Sequence, residues 1–198
     1  MPGPICLFIS SSPDLVAERE ALGQAVAELP ISVGFEIMHA QVGEATDIGE
    51  ALAFIERCDL YVIVLGADFA APMGIKWQRA QEARKPTLAY AKRALHSPSA
   101  QKLLRDARIA REAGVAWEPF ESPQALKAHA TRALAQLLFD QGESFGLHVD
   151  DVDGLLAVLD EKNEKPAEKP DRREGGSRSR RHHLGTRELT LTESLFGL

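Results

Sequence analysis

The chain has 198 residues, 44% of them apolar, with a formal net charge of −6, six histidines and two cysteines. That length and composition suit one domain of ordinary size with a tail, supply a real core, and exclude the disordered class. No apolar run approaches the roughly 18 residues of a membrane helix, and "MPGPICLFIS" lacks the basic region and cleavage site of a signal peptide.

Cys6 and Cys58 have no Cys or His at ligand spacing beside them, so they read as small buried residues in a reducing, cytoplasmic setting, and no metal or resident cofactor is expected. Residues 1–160 hold 22 acidic and 14 basic side chains, whereas residues 161–198 hold 7 and 9. An acidic body argues against a broad nucleic-acid surface.

In chain order, "ICLFI" (5–9) is a compact strand candidate. Three serines follow, Ser10 to Ser12, and the segment from Pro13 to Leu29 carries Leu15, Leu22, Val26 and Leu29 near helical spacing. Ser12 is expected to cap that helix, with Pro13 at its first position. Residues 31–39 alternate Ile31, Val33, Phe35 and Ile37 in period two, a strand pattern, and residues 47–57 put Ile48, Leu52 and Ile55 on one helical face. "LYVIVL" (60–65) is apolar throughout, as befits a central parallel strand covered on both sides. A short helix is expected over 75–84, a strand over 86–91, a basic helix over 98–112, an edge strand over 115–120, and a last helix over 123–139 opened by Ser122 and Pro123.

Five βα units demand a parallel sheet with right-handed crossovers, and the simplest strand order is the flavodoxin-like 2-1-3-4-5 of a three-layer, Rossmann-like sandwich. The α/β domain is placed at 1–142, with a short helical extension at 143–160 carrying Val152, Leu155, Leu156 and Leu159. Residues 161–198 read as a disordered linker, with "RSRRHH" as a solvated basic run, ending in a candidate docking stretch, "LTESLFGL".

In such a sheet, ligands sit beyond the carboxyl ends of the strands where the order reverses, here between the first and third strands. Ser10, Ser11 and Ser12 are expected to meet the segment from Gly66 to Gly74 there, with "AQVGEATD" (40–47) as a third wall. A helix start favours anions, and hydroxyls add donors without bulk. Capping accounts for only one of the three serines, so Ser10 and Ser11 are the stronger ligand candidates. Neither G-x-x-x-x-G-K-[ST] nor G-x-G-x-x-G is present, which argues against an ordinary ATPase or dehydrogenase. Asp59 opens the third strand at the far end of the sheet and reads as a structural cap. Arg19 and Glu20 read as ion-pairing helix residues, and Trp77 and Trp117 as packing residues.

"FISSSPDLVAEREAL", "GFEIMHA", "IERCDLYVIVLGADF" and "AQEARKPTLAY" together resemble the TIR-like family catalogued as domain of unknown function 4062, over about residues 5–140. The resemblance implies a fold shared with TIR domains and nucleoside deoxyribosyltransferases, and a frequent N-terminal place in STAND NTPases. It suggests NAD- or nucleotide-derived small molecules as ligands, and a STAND NTPase or other protein as partner. The matching positions are Ser10, Ser11, Ser12, Arg19, Glu20, Cys58, Asp59 and Gly66. Two positions depart: Phe69-Ala70 stands where the family usually has Tyr-Gly, and Lys76 stands where glycosyl-transferring relatives carry a glutamate. A carboxylate there would stabilise a cationic sugar carbon, and lysine has the wrong charge for that. Glu44 and Asp47, bordering the same crevice, are the remaining catalytic candidates. Gly66, Asp68, Phe69 and Lys76 join the serines as candidate ligand-binding residues. The expected function is a signalling or sensing module that binds a nucleotide-like ligand. The alternative is a divergent NAD or nucleoside N-glycohydrolase.

Overall fold

A computed structural model of the chain describes residues 3–40, 47–109 and 115–160. Its elements alternate as expected: β1 (Ile5–Ser11), α1 (Val16–Ala27), β2 (Phe35–Ala40), α2 (Ile48–Arg57), β3 (Leu60–Leu65), α3 (Ala71–Glu82), β4 (Thr87–Lys92), α4 (Pro98–Ile109), β5 (Trp117–Phe120) and α5 (Pro123–Asp140). A one-turn helix α6 (Gly142–Phe145) and a longer α7 (Val149–Asp160) follow. The five strands form one parallel sheet in the order β2-β1-β3-β4-β5. The tail at 161–198, with its docking stretch, lies outside the described residues.

Strand alternation divides the core. Leu7, Ile9, Val62, Val64 and Tyr90 face one side, where they pack with Leu22, Val26, Leu126 and Leu134 of α1 and α5. Phe8, Tyr61, Ile63 and Ala89 face the other, against Phe54 and Ile55 of α2 and Met73 and Ala80 of α3. Leu65 and Ala91 continue that second face beneath Ala100 of α4. Every residue of β3 is buried, so its uninterrupted apolar run has a direct cause.

Three boundaries differ from the sequence pattern. The second strand starts at Phe35 rather than Ile31, because the Ser32 N–H is taken by the Asp151 carboxylate at 2.6 Å and not by a neighbouring strand. The third helix starts at Ala71, four residues early: Pro72 lies in its first turn, where a missing N–H costs nothing. The first helix starts at Val16, for a reason that lies in the site. Elsewhere the capping expectations hold: Ser122 Oγ accepts from Ala125 N at 3.2 Å, and Asp59 receives Cys6 N at 2.8 Å at the amino edge. Asp47, expected as a crevice carboxylate, caps α2 by accepting from Gly49 N at 2.8 Å.

The helix α7 joins the same core. Leu155 is fully buried against the α1/α5 layer, and burying such a side chain contributes roughly 1.5–3 kcal/mol. Gly154 lets α7 approach α1's exit: a Cβ there would stand 2.9 Å from the Pro30 carbonyl oxygen. No described helix is long and apolar enough to cross a membrane.

Candidate functional site

The serine stretch is not a loop. β1 runs through Ser11, so Ser10 and Ser11 are strand residues that point to opposite faces, and all three serines are buried. Ser12 does not cap α1, whose N-cap is Leu15 with no side-chain bond. The hydroxyl is committed elsewhere: it donates to the Asp68 carbonyl at 2.8 Å and accepts from Gly66 N at 2.9 Å. Ser12 N donates to Val64 O at 3.2 Å, extending the β1–β3 ladder by one bond. With Ser12 held against β3, residues 13–15 turn first and the helix begins late.

Those bonds bring residues 10–12 together with residues 66–76, as the topology requires. The intervening loop is shorter than its sequence suggests, because Gly74 and Lys76 are already helical. Its amides are also spent internally. Gly66 N goes to Ser12 Oγ, Ala67 N to the Asp14 carboxylate at 3.3 Å, and Phe69 N to Asp68 Oδ1 at 2.8 Å. Gly66 leaves room for Asp14: a Cβ there would meet its Oδ2 at 2.5 Å. Asp68 Oδ1 further accepts from Ser97 Oγ at 2.5 Å and Ser99 Oγ at 2.9 Å. These donors hold its carboxyl below the ordinary aspartate range and tie the loop to the start of α4. Phe69 is half-buried and its ring contacts Gly74 only as a Cβ there would be met, at 3.5 Å. Ser12, Gly66 and Asp68 therefore build the crevice wall, with the Ser12 hydroxyl, the Gly66 amide and Asp68 Oδ1 all engaged within it.

Two unpartnered groups lie one level deeper: Ser10 Oγ and Tyr61 OH are buried and, like Tyr90 OH and Trp117 Nε1, have no hydrogen-bond partner among the described residues. Burial raises the Tyr61 phenol above its usual pKa, and hydrogen bonding from the nearby Ser10 hydroxyl opposes that rise, so the two oxygens lie close enough to give each other weak compensation. Tyr61 stacks on Phe8 at 5.6 Å between ring centres, and Trp77 of α3 lies 6.2 Å from the Tyr61 ring. At the other end of the same stretch, Ser12 Oγ approaches Met73 Sδ at 3.8 Å.

Lys76 lies between Met73 and Trp77 on α3, and Ser10 lies between Ser12 and Phe8 on the facing side of β1. Contacts of the neighbouring residues, Ser12 with Met73 and Tyr61 with Trp77, pack this stretch of α3 against β1 and β3. Its side chain is only 3% exposed, on the same helical face as Met73 and Ala80. Side chains on a helix lean toward its N-terminus, here the carboxyl edge of the sheet. Burial lowers the Lys76 pKa, and no carboxylate pairs with it among the described residues.

Of the two carboxylate candidates for catalysis, Asp47 is the α2 cap and Glu44 lies outside the described residues. Arg19 is not the exposed ion-pairing residue its position suggested: its Nη1 donates to Ser11 Oγ at 3.3 Å and Ser12 O at 3.2 Å. The buried acid of α1 is Glu18, which meets Lys92 of β4 at 2.7 Å. His39, at the end of β2, has its pKa lowered by desolvation and then by Arg19. Trp77 and Trp117 pack against each other at 5.8 Å, as expected of core residues. Tyr61, Glu18, Lys92 and His39 escaped the sequence reading. Tyr61 opens an apolar strand and looks like core, and a pattern of helical charges does not reveal which one turns inward.

A family model described as a domain of unknown function (DUF4062) matches residues 7–135. The chain belongs to that family. The match covers this DUF4062 domain from β1 into α5, and so includes every element that builds the crevice. No curated protein matches the chain. Among solved structures, homoserine dehydrogenase from S. aureus is similar at 17% identity and a TM-score of 0.38, over 60% of this chain. The chain spans about a third of that enzyme, 32% of its length.

Proposed function

We propose that this domain is a sensing module that binds a small, nucleotide-like anion at the carboxyl edge of β1 and β3 and leaves it chemically intact. Two observations support the reading: Lys76 is 3% exposed with no carboxylate partner among the described residues, and two buried hydroxyls, Ser10 and Tyr61, have no hydrogen-bond partner among them. Unsatisfied buried donors cost about 1–3 kcal/mol each, and a charged one costs more. A phosphate supplies acceptors to all three at once, with charge-assisted bonds from the lysine. The same residue argues against N-glycosidic cleavage. That transition state is cationic at the sugar carbon, and an ammonium group beside it would raise the barrier where a carboxylate lowers it. In the setting that TIR-like domains suggest, ligand occupancy would be read by a partner protein such as a STAND NTPase, in the cytoplasm.

The test is isothermal titration of the full chain with NAD, ADP-ribose and ADP, alongside chromatography of the same mixtures for released base. Saturable heat is expected from at least one ligand, weakened about ten- to hundred-fold in Lys76→Met, the span of one charge-assisted bond. No base is expected to be released. A folded protein that gives no heat with any of them overturns the binding reading, and protein-dependent base release overturns the sensing one.

A further inference from the structure

We propose that the ligand carries two anionic groups, the second held by Arg19 and His39 on the opposite side of β1 from Lys76. This rests on the reading of Lys76 as the first anion's partner. Ser10 and Ser11 are consecutive strand residues, so they open onto opposite faces of the sheet. Ser10 shares the face of Phe8, toward the α2/α3 layer. Ser11 faces α1, where Arg19 Nη1 bonds both its hydroxyl and the Ser12 carbonyl. Those contacts bend the guanidinium over the very end of β1, toward the crevice. Its Nη2 and Nε make no hydrogen bond among the described residues, so an edge of the planar fork stays available for two-point recognition of an oxyanion.

His39 reaches the same place from the next strand. It is the register partner of Ile9, and Phe35 and Ile37 of its strand pack on the α1/α5 layer, so alternation puts His39 on the α1 side, diagonal to Ser11. Its side chain is exposed, whereas Arg19 is half-buried. Of the acids nearest Arg19 in sequence, Glu18 is engaged by Lys92 and Asp14 by the Ala67 amide, whereas Glu20 is exposed and makes no ion pair with Arg19. A guanidinium and an imidazole that can donate a hydrogen bond therefore lie together with no described carboxylate paired to either, in addition to Lys76 on the other face of the sheet. One phosphate cannot serve both sides of a strand end. A molecule with a second anionic group, of the nucleoside diphosphate class, can straddle it.

The experiment is titration calorimetry of the full chain with AMP, ADP and ADP-ribose, for the wild type, Arg19→Met, His39→Gln and Lys76→Met. His39→Gln keeps a hydrogen-bonding side chain at an exposed position, so the test survives if Arg19→Met fails to fold. At least one of the two-phosphate probes is expected to bind ten-fold or more tighter than AMP. Arg19→Met and His39→Gln should remove most of that excess and leave AMP unchanged, whereas Lys76→Met should weaken all three. Equal affinity for AMP and the diphosphates, or a loss that falls equally on AMP in the Arg19 and His39 variants, overturns the second subsite and leaves the Lys76 reading standing. No heat with any probe overturns both.

Discussion

Replacing Tyr61 by Phe removes one oxygen and nothing else. The ring keeps its stack on Phe8 at 5.6 Å and its contact with Trp77. The hydroxyl is buried and has no hydrogen-bond partner among the described residues, so its removal deletes an unmet desolvation cost. Such groups cost about 1–3 kcal/mol, and the lower end is appropriate where a neighbouring hydroxyl, here Ser10, gives weak compensation. Tyr61→Phe is therefore expected to stabilise the free protein by about 1 kcal/mol. Small proteins lose about 1–3 kcal/mol per molar urea, so the urea midpoint should rise by about 0.5 M with an unchanged slope. Ser10→Ala should behave in the same direction, with a smaller gain because it also removes packed volume. Both variants should bind the ligand more weakly than the wild type, since the oxygens removed are those assigned to it. A gain in stability paired with a loss of binding is the mark of a site kept unsatisfied for function. A Tyr61→Phe midpoint that falls by 0.5 M or more would refute the reasoning, because it would mean that the hydroxyl is already partnered.

Ser12→Ala should do the opposite: it strands Gly66 N and the Asp68 carbonyl and is expected to cost about 2 kcal/mol, read as a lower urea midpoint, with a much smaller cost for Ser11→Ala. Asp151 accepts from His148 N, Ser32 N and Ser32 Oγ, which hold its pKa below the ordinary aspartate value in the folded state. Its stabilising contribution is therefore complete above the unfolded pKa near 4 and is lost as pH falls through the folded pKa. Urea midpoints measured from neutral pH down to about pH 3 should fall more steeply in the wild type than in Asp151→Asn. Gly154→Ala gains up to about 1 kcal/mol of helix propensity, yet forces a Cβ against the Pro30 carbonyl, a backbone atom that cannot swing aside. A net loss is expected, and faster amide exchange confined to α7 and the Pro30–Ser32 turn would locate it.

Architecture and site differ in how far the sequence reveals them. The strand order and the meeting of residues 10–12 with 66–76 follow from the apolar β3 run, the βα alternation and the rules of parallel sheets. Those forces are periodic along the chain and therefore visible in it. The cap at Ser122 is local and equally legible, whereas Asp47, also a local cap, reads from the sequence only as a catalytic candidate. Ser12 was not legible, although its Ser-Pro context resembles that of Ser122: the difference lies more than fifty positions away, in the buried Gly66 amide, which donates to the hydroxyl, and the Asp68 carbonyl, which accepts from it. The same holds for Asp68. Its place in a loop suggested a ligand contact, and three donors from Phe69, Ser97 and Ser99 occupy it instead. Lys76 could be flagged by its charge alone, but its burial follows from α3 starting at Ala71, which rotates position 76 onto the face of Met73 and Ala80. Tyr61 carried no local signal at all, since its significance lies in what its hydroxyl fails to touch.

The account stands on an anion being held by Lys76, Ser10 and Tyr61 together. A crystal structure of the chain with whichever nucleotide binds in calorimetry tests this most directly. Phosphate oxygens are expected within about 3.2 Å of Lys76 Nζ, Ser10 Oγ and Tyr61 OH, in ordinary hydrogen-bond range. A nucleotide whose phosphates instead rest on the Gly66–Asp68 loop, with those three groups still without a partner, would contradict it.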